Sequence, residues 1–205
     1  MPVEKETEEK IFEAARTVFQ QRGFDGARMQ EIADIAKINK SMLHYYYRNK
    51  DNLFFEVFQA GVKKIFPQVF EILSREVSLI EKTTLIVDFY HSAFKENPHL
   101  PSFVIFEMNQ NPERFRAFFE NHSFEIPDVF LRQVELEIEA GNIKPINPKQ
   151  FLMNIISMCM MPLVARNLVL SLFKMDDEQY GGFLEERRVI IPDLIFKGAS
   201  TDRGV

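Results

Sequence analysis

The sequence is poor in the residues that build covalent or metal-held structure. It has a single cysteine, Cys159, which excludes a disulfide within the chain. The four histidines show no His-x-x-x-His spacing and no cysteine pair accompanies them, so the sequence predicts no metal site. The Gly-rich phosphate loop and the nucleophile elbow of common enzymes are also missing. We therefore expect neither a cofactor nor an enzyme activity.

Long apolar runs are equally scarce. The first ten residues, MPVEKETEEK, include no apolar stretch, so we expect no signal peptide and a cytoplasmic location. Only the segment 151–173 approaches the length of a membrane-spanning helix. Arg166 interrupts it, and a charge near mid-span is costly in lipid. We expect no membrane segment and interpret the run as a buried helix that faces another subunit.

Phenylalanine, by contrast, is abundant. The chain has 21 Phe and no Trp, and 18 of the 21 follow Lys50. Rings at helical spacing usually pack in a core, but the same rings can line an apolar ligand cavity with a few polar anchors. Both interpretations remain open. A cavity is expected among the helices between Leu53 and Ala140, and its candidate lining residues are Phe66, Phe70, Phe89, Tyr90, His91, Phe103, Phe106, Asn109 and Phe118.

Apolar residues recur at helical spacing throughout, which predicts an all-α fold. A first helix over about 8–22 would begin at the N-cap Thr7 and end at Gly23. Two short helices are expected at about 28–36 and 40–47, with Asn39 as N-cap of the second and with Leu43 and Tyr47 facing inward. A long helix is expected from about Asp51, and Pro67 either kinks or ends it. Further helices are expected at about 78–96, 101–110, 112–119, 127–140, 148–173 and 179–198.

The segment Lys37–Lys50 carries positive charge on an acidic chain. It has four cationic residues and no acid, whereas the whole chain has 25 basic and 30 acidic residues and a net charge of −5. For the lysines alone, a solvated surface is an equally good interpretation. An exposed pair of rings at Tyr45 and Tyr46 has no obvious structural need, however. The segment therefore favours contact with a phosphate backbone, and DNA is the expected partner.

These features together resemble the TetR family of ligand-controlled transcriptional regulators. The resemblance covers about the first 60 residues, in the segments KIFEAARTVFQQRGF, MQEIADIAKIN and KSMLHYYYRNKDNLF. Each short match is weak, but the combination in this order is highly specific. The positions that fit the family pattern are Gly23, Phe24, Ile32, Ala33, Lys40, Leu43, Tyr45, Tyr46, Tyr47, Lys50, Asp51 and Leu53.

The resemblance implies a role for each outer-face residue. The third helix would enter the major groove, with Lys40 and Ser41 within reach of base edges. The expected DNA-contacting set is Arg28, Gln30, Lys40, Ser41, Met42, His44, Tyr45, Tyr46 and Lys50. Within it, Tyr45, Tyr46 and Lys50 would contact phosphates, and Arg28 and Gln30 the backbone or an adjacent base. Lys37, Met42 and His44 depart from the family pattern; Met42 donates no hydrogen bond but suits a thymine methyl.

The resemblance also implies an organisation and a function. Residues 1–50 would form a helix-turn-helix DNA-binding domain, and residues 51–205 a larger helical domain for effector binding and dimerisation. The expected function is that of a homodimeric repressor, paired through about 148–173 and 179–198, which a small apolar or amphipathic effector releases from a near-palindromic operator. The alternative is a helical small-molecule-binding protein or enzyme without DNA binding.

Overall fold

A computed structural model describes residues 2–122 and 124–199. Every regular element in these ranges is a helix, which confirms the all-α prediction. In chain order the helices are α1 (Pro2–Gly26), α2 (Met29–Ala36), α3 (Lys40–Tyr46), α4 (Lys50–Ser74), α5 (Leu79–Glu96), α6 (Leu100–Gln110), α7 (Pro112–Asn121), α8 (Asp128–Glu139), α9 (Pro148–Val164), α10 (Arg166–Phe173) and α11 (Asp177–Ala199).

Packing divides the chain into two compact units. Unit 1 contains the described residues up to Lys64 together with Ser102–Arg116. Unit 2 contains Ile65–Pro101 and the described residues from Ala117 onward. These units are defined by packing, whereas the expected boundary after Lys50 concerns function, and that boundary stays a prediction. Residues 200–205 of the predicted second domain lie outside the described residues.

Unit 1 is built on the first three helices and the start of α4. Helix α1 packs on α2, and α2 packs on α3. The prediction that the first helix begins near residue 8 is wrong: α1 begins at Pro2, so Thr7 lies inside it and is not an N-cap. The early turns are rich in Glu and Lys, which favour helix, and Lys10 pairs with Glu6 at 2.7 Å one turn away. As predicted, Gly23 interrupts the helix at a positive φ of 67°.

Unit 2 has its core where α5, α9 and α11 meet. Helix α5 packs against both α9 and α11, these two pack against each other, and α8 and α10 also contact α9. Buried side chains on facing helices include Ile86 and Phe94 of α5 and Ile155 of α9. Phe151 of α9 lies beside Phe130 of α8, with ring centroids 6.5 Å apart. Much of the phenylalanine of this unit therefore serves as core.

The predicted single helix over 148–173 is wrong. It is two helices, α9 and α10, bent by 74° where Ala165 leaves helical geometry at φ −99° and ψ 31°. Pro162, three residues earlier, has no N–H to donate to the carbonyl of Met158. The guanidinium of Arg187 in α11 donates to that carbonyl instead, at 2.7 Å. The bend is therefore stabilised from outside the helix.

The bend also bears on the membrane question. Over residues 2–122 and 124–199, no single helix combines the length and the apolar character needed to cross a bilayer. Only α9 and α10 taken together satisfy length and composition, and they do so as a bent pair.

Candidate nucleic-acid interface

Helices α2 and α3 and the turn between them form a helix-turn-helix. The turn is Lys37–Asn39, as predicted. Asn39 is the N-cap of α3, because its side-chain oxygen accepts a hydrogen bond from the Met42 N–H at 2.7 Å. Leu43 is fully buried and Tyr47 nearly so, which fixes the rotation of α3 about its axis.

The opposite face of α3 is open to solvent. Lys40, Ser41, Met42, His44 and Tyr45 are exposed on it, and Tyr46 is half-buried. Tyr45 is 78% exposed, and its ring lies edge-on to that of Tyr46, with centroids 5.5 Å apart. An exposed tyrosine and a half-buried one beside an exposed lysine offer both hydroxyl donors and charge to a phosphate backbone.

Tyr47 differs from the two tyrosines before it. Burial, with smaller contributions from the carboxylates of Glu56 and Glu8, raises the pKa of its phenol to about 12. The side chain is therefore neutral at physiological pH and belongs to the scaffold of unit 1. Of the three consecutive tyrosines, only the first two face outward.

Lys50 occupies a more constrained position than Lys40. Its ammonium lies 4.5 Å from the centroid of the Phe24 ring and 3.4 Å from the carbonyl oxygen of Asp25. These contacts tie the start of α4 to the end of α1. The predicted phosphate contact of Lys50 thus competes with a purely structural role, and the two can be separated by experiment.

The remaining candidates lie at the edges of this face. Arg28 is exposed at the N-cap of α2, where no side chain caps the helix. Gln30 is exposed and donates to Asp34 at 2.8 Å. The Nδ1 atom of His44 lies 3.3 Å from the carbonyl oxygen of Arg48. The structure thus places all nine predicted DNA-contacting residues on α2 or its N-cap, on α3, or at the first residue of α4. Their contacts with DNA stay predictions.

The turn before α3 requires a left-handed residue. Lys37 has φ 57° and ψ 42°, and its N–H donates to the carbonyl of Asp34. The next N–H, of Ile38, donates to the carbonyl of Ala33 at 3.0 Å, which completes a Schellman C-cap. Lys174 ends α10 in the same conformation, with φ 53° and ψ 43°. A side chain costs about 1–2 kcal/mol in this region.

Lys37→Gly and Lys174→Gly form a matched pair. Each substitution removes one positive charge and relieves the cost of a side chain in the left-handed region. The greater freedom of glycine in the unfolded chain offsets about 0.4–1 kcal/mol of that stabilisation. We expect each to raise the free energy of unfolding by about 0.5–1 kcal/mol. Urea denaturation followed by circular dichroism measures the change. A loss of stability for Lys37→Gly alone would mean that the Lys37 side chain makes a stabilising contact.

The structure distributes the predicted ligand-binding residues among several places. Tyr90 and His91 line a cavity of about 380 Å³ in unit 2. Phe66, Phe70 and Phe118 instead pack with Phe119 and Phe124 in an aromatic cluster of their own. Phe89 lies beside Tyr90, with centroids 5.7 Å apart. Phe103, Phe106 and Asn109 belong to unit 1.

Most of the lining of this cavity escaped the sequence analysis. Arg166, Tyr180 and Arg187 contribute to it from α10 and α11, outside the range from Leu53 to Ala140. The sequence contains one signal that concerns Arg187: Pro162 within an apolar helix predicts that the carbonyl four residues earlier needs another donor. That signal does not say which residue supplies it. No group of three or more His, Cys, Asp or Glu within the described ranges is arranged to hold a metal ion.

The fold and this outer face define an all-α protein with an N-terminal helix-turn-helix unit. Residues 11–57 match the family described as bacterial regulatory proteins of the tetR family. The HTH-type transcriptional repressor NicS of Pseudomonas putida is 33% identical over 89 residues, which are 41% of this chain and 42% of that protein. In that match the chain spans less than half the length of its relative. The N-terminal unit of this chain is therefore similar to the tetR family of bacterial regulatory proteins.

Solved structures extend the likeness in fold to nearly the whole chain. AibR, described in complex with isovaleryl coenzyme A and operator DNA, is 18% identical with a TM-score of 0.68, over 93% of this chain and 98% of that one. HlyIIR, a hemolysin II transcriptional regulator, is 21% identical with a TM-score of 0.63, over 97% of this chain and 99% of that one. At these identities the likeness establishes the fold. None of these three similar proteins is named as an enzyme.

Proposed function

We propose that this chain is a homodimeric transcriptional repressor that leaves a near-palindromic operator when a small apolar or amphipathic effector binds. One observation carries the DNA-binding part of the proposal. Leu43 of α3 and the C-cap residue Tyr47 are buried, while Lys40, Ser41 and Tyr45 remain exposed. A helix held in this way can lie in a major groove with its N-terminal side chains at base edges. NicS is a transcriptional repressor and AibR is described in complex with operator DNA, and both support the same interpretation.

The dimer is inferred from apolar side chains that the chain leaves uncovered. Met161 of α9, Leu168 and Leu172 of α10, and Val189 and Leu194 of α11 are all at least half exposed. Apolar side chains gathered at one end of the chain on three consecutive helices are typical of a protein interface. We infer that a second copy covers them. Two recognition helices would then meet successive major grooves roughly 34–36 Å apart.

The effector would act through helix α4. This helix begins in unit 1 and ends in unit 2, so residues of both units lie on one continuous element. A ligand that binds more tightly to one position of α4 than to another shifts the population toward that position. The spacing of the two recognition helices would change, and operator affinity with it. By linkage, operator DNA must weaken effector binding by the same factor.

Selection from a pool of random duplexes tests the proposal directly. The repressor interpretation expects enriched sequences made of two inverted half-sites at a fixed spacing. A single unsymmetrical site would contradict the dimer on a palindrome. Absence of any enriched sequence would contradict DNA binding and favour the small-molecule-binding alternative.

Two lysine variants then separate base reading from phosphate contact. Lys40→Ala is expected to weaken binding to the selected duplex by about 1–3 kcal/mol and to change a scrambled duplex far less. Lys50→Ala is expected to weaken both alike and to shallow the slope of log affinity against log salt by about 0.9. Fluorescence anisotropy at several salt concentrations measures both. Lys149→Ala, exposed in the first turn of α9, serves as the charge-matched control.

The contacts of Lys50 give this test a second possible outcome. If Lys50→Ala lowers the stability of unit 1 but leaves the salt slope unchanged, its role is confined to the contacts with Phe24 and Asp25. If Lys40→Ala weakens both duplexes equally, Lys40 contacts phosphate and does not read bases.

A further inference from the structure

The cavity in unit 2 combines an apolar interior with a charged rim. Helices α5, α9, α10 and α11 contribute to it, and its volume of about 380 Å³ suits a small ligand. Its apolar lining residues include Val87, Tyr90, Phe94, Cys159, Leu163 and Ile191. The arrangement is that expected for a ligand with an apolar body and one polar end.

Most charged groups at the rim already have partners. Arg166 pairs with Asp177 at 2.5 Å. Arg188 pairs with Asp88 at 2.8 Å and with Glu185 at 3.0 Å. Glu185 also approaches His91 at 3.3 Å and Lys95 at 3.9 Å. These groups neutralise one another, so none of them carries an unbalanced charge toward a ligand.

Arg187 is the exception among the cations that line the cavity; the carboxylate of Glu178 also lines it outside these pairs. The guanidinium of Arg187 lines the cavity, yet among the described residues no carboxylate lies within ion-pair distance of it. One of its nitrogens donates to the Met158 carbonyl at 2.7 Å, and its Nε is buried without any hydrogen-bond partner. Buried hydrogen-bond donors are normally satisfied, so the free Nε–H of this half-buried guanidinium calls for an acceptor. A carboxylate would supply that acceptor in the geometry that arginine prefers.

Cys159 and Tyr90, which line the same cavity, do not supply a charge opposite to that of Arg187. Burial raises the pKa of the Cys159 thiol to about 12 against a smaller lowering by Arg187, so the thiol stays protonated at neutral pH. Burial also raises the pKa of Tyr90. Cys159 and Tyr90 are therefore neutral at physiological pH and do not offset the charge of Arg187.

We propose that the cavity among α5, α9, α10 and α11 binds a small amphipathic carboxylate, whose apolar body fills the interior and whose carboxylate contacts Arg187. The inference deepens the proposed function by naming the effector class, and it rests on that function only for its effect on DNA. Binding itself can be measured without DNA. The competing interpretation is that Arg187 only satisfies the carbonyl freed by Pro162.

The entrance is lined by a pair of glycines within α11. A Cβ at Gly181 or Gly182 would meet no atom within 4 Å, so the space beside them is open. Both residues line the cavity and are exposed. Glycine is a poor residue for a helix interior. Their presence therefore keeps the rim free of side chains at a cost to the helix, and Gly182→Leu would partly fill the opening.

Calorimetry with three ten-carbon probes tests the charge preference. Decanoate, 1-decanol and decylamine share an apolar chain and differ in the charge of the head group. The full chain is expected to bind decanoate at least tenfold more tightly than 1-decanol, and decylamine most weakly. Equal affinities for decanoate and 1-decanol, a preference for decylamine, or no binding of any probe would each overturn the proposal.

Variants of Arg187 separate its two roles. Arg187→Gln retains an amide donor for the Met158 carbonyl but loses the charge, and it should abolish the preference for decanoate while leaving 1-decanol binding unchanged. Arg187→Lys should keep most of the preference. Arg132→Gln, an exposed arginine of the same unit outside this cavity, is the control for net charge. A preference that survives in Arg187→Gln would overturn the role of Arg187.

Two further measurements test where decanoate binds and whether its binding affects DNA affinity. Gly182→Leu should weaken decanoate binding at least tenfold, and unchanged binding would place the ligand elsewhere and overturn the proposal. Decanoate is then added to the protein bound to its selected duplex. If decanoate binds with the expected preference but leaves DNA affinity unchanged, the carboxylate site stands and the proposed release mechanism fails.

Discussion

Phe54→Ala is expected to lower the free energy of unfolding of unit 1 by about 3–5 kcal/mol, the range for truncating a fully packed phenylalanine. Phe54 is only 2% exposed. Its ring lies edge-on to Phe19 and Phe24 of α1, with centroids 5.0 and 4.9 Å away, and to Phe103 at 5.6 Å. Phe58, one turn later in α4, stacks at 6.4 Å. Removing the central ring leaves a cavity bordered by four others, and they cannot all close on it.

Phe106→Ala is the matched control for this effect. It removes the same side chain from the same unit, but Phe106 is 53% exposed, so the loss should stay below about 1 kcal/mol. Thermal denaturation and hydrogen exchange of α1 amides measure both. Because Phe54 connects α4 to the helix on which α2 rests, the variant should also lose operator binding without touching DNA. Equal stability losses for the two variants would refute the central role of Phe54.

The helix-turn-helix was predictable because its signals are local. Asn39 caps α3 from one residue before it, and Leu43 and Tyr47 are one turn apart, so a short window of sequence contains the whole pattern. Gly23 marks an interruption of α1 in the same way. The start of α1 was missed because a charged segment without apolar periodicity still forms helix when Glu and Lys favour it. The exposure of the α3 face then follows from the burial of its opposite side.

The cavity of unit 2, which we propose as the ligand site, was less predictable because it depends on contacts between distant residues. Pro162 and Arg187 are far apart in sequence. Because Pro162 has no N–H for the Met158 carbonyl, the guanidinium of Arg187 donates to that carbonyl instead. No periodic pattern encodes that pairing. The phenylalanines illustrate the opposite difficulty. Phe66 and Phe103 were both expected to line one cavity, but they lie in different packing units. Helical spacing identifies a buried face and does not say what covers it.

The apolar face of α11 leads to the second large expected effect. Val189→Glu should convert a dimer of about twice 24.1 kDa into a monomer of 24.1 kDa. Val189 is 75% exposed in the single chain, so the substitution should change folding by no more than about 0.5 kcal/mol. In the proposed dimer the same position is covered by the second copy, and a buried unpaired carboxylate opposes association strongly. Sedimentation equilibrium distinguishes the two masses.

Loss of the dimer should weaken operator binding far more than loss of any single contact. Two linked recognition helices gain about 10²–10⁴ in affinity from binding one duplex together, and a monomer forfeits that gain while keeping an intact α3. Ile80→Glu, on α5 of the same unit and 50% exposed, adds the same charge away from the proposed interface and should leave mass and affinity unchanged. If Val189→Glu remains dimeric, a different surface joins the subunits. If it is monomeric yet binds the selected duplex like the parent, each half-site acts alone, and effector control by helix spacing loses its physical basis.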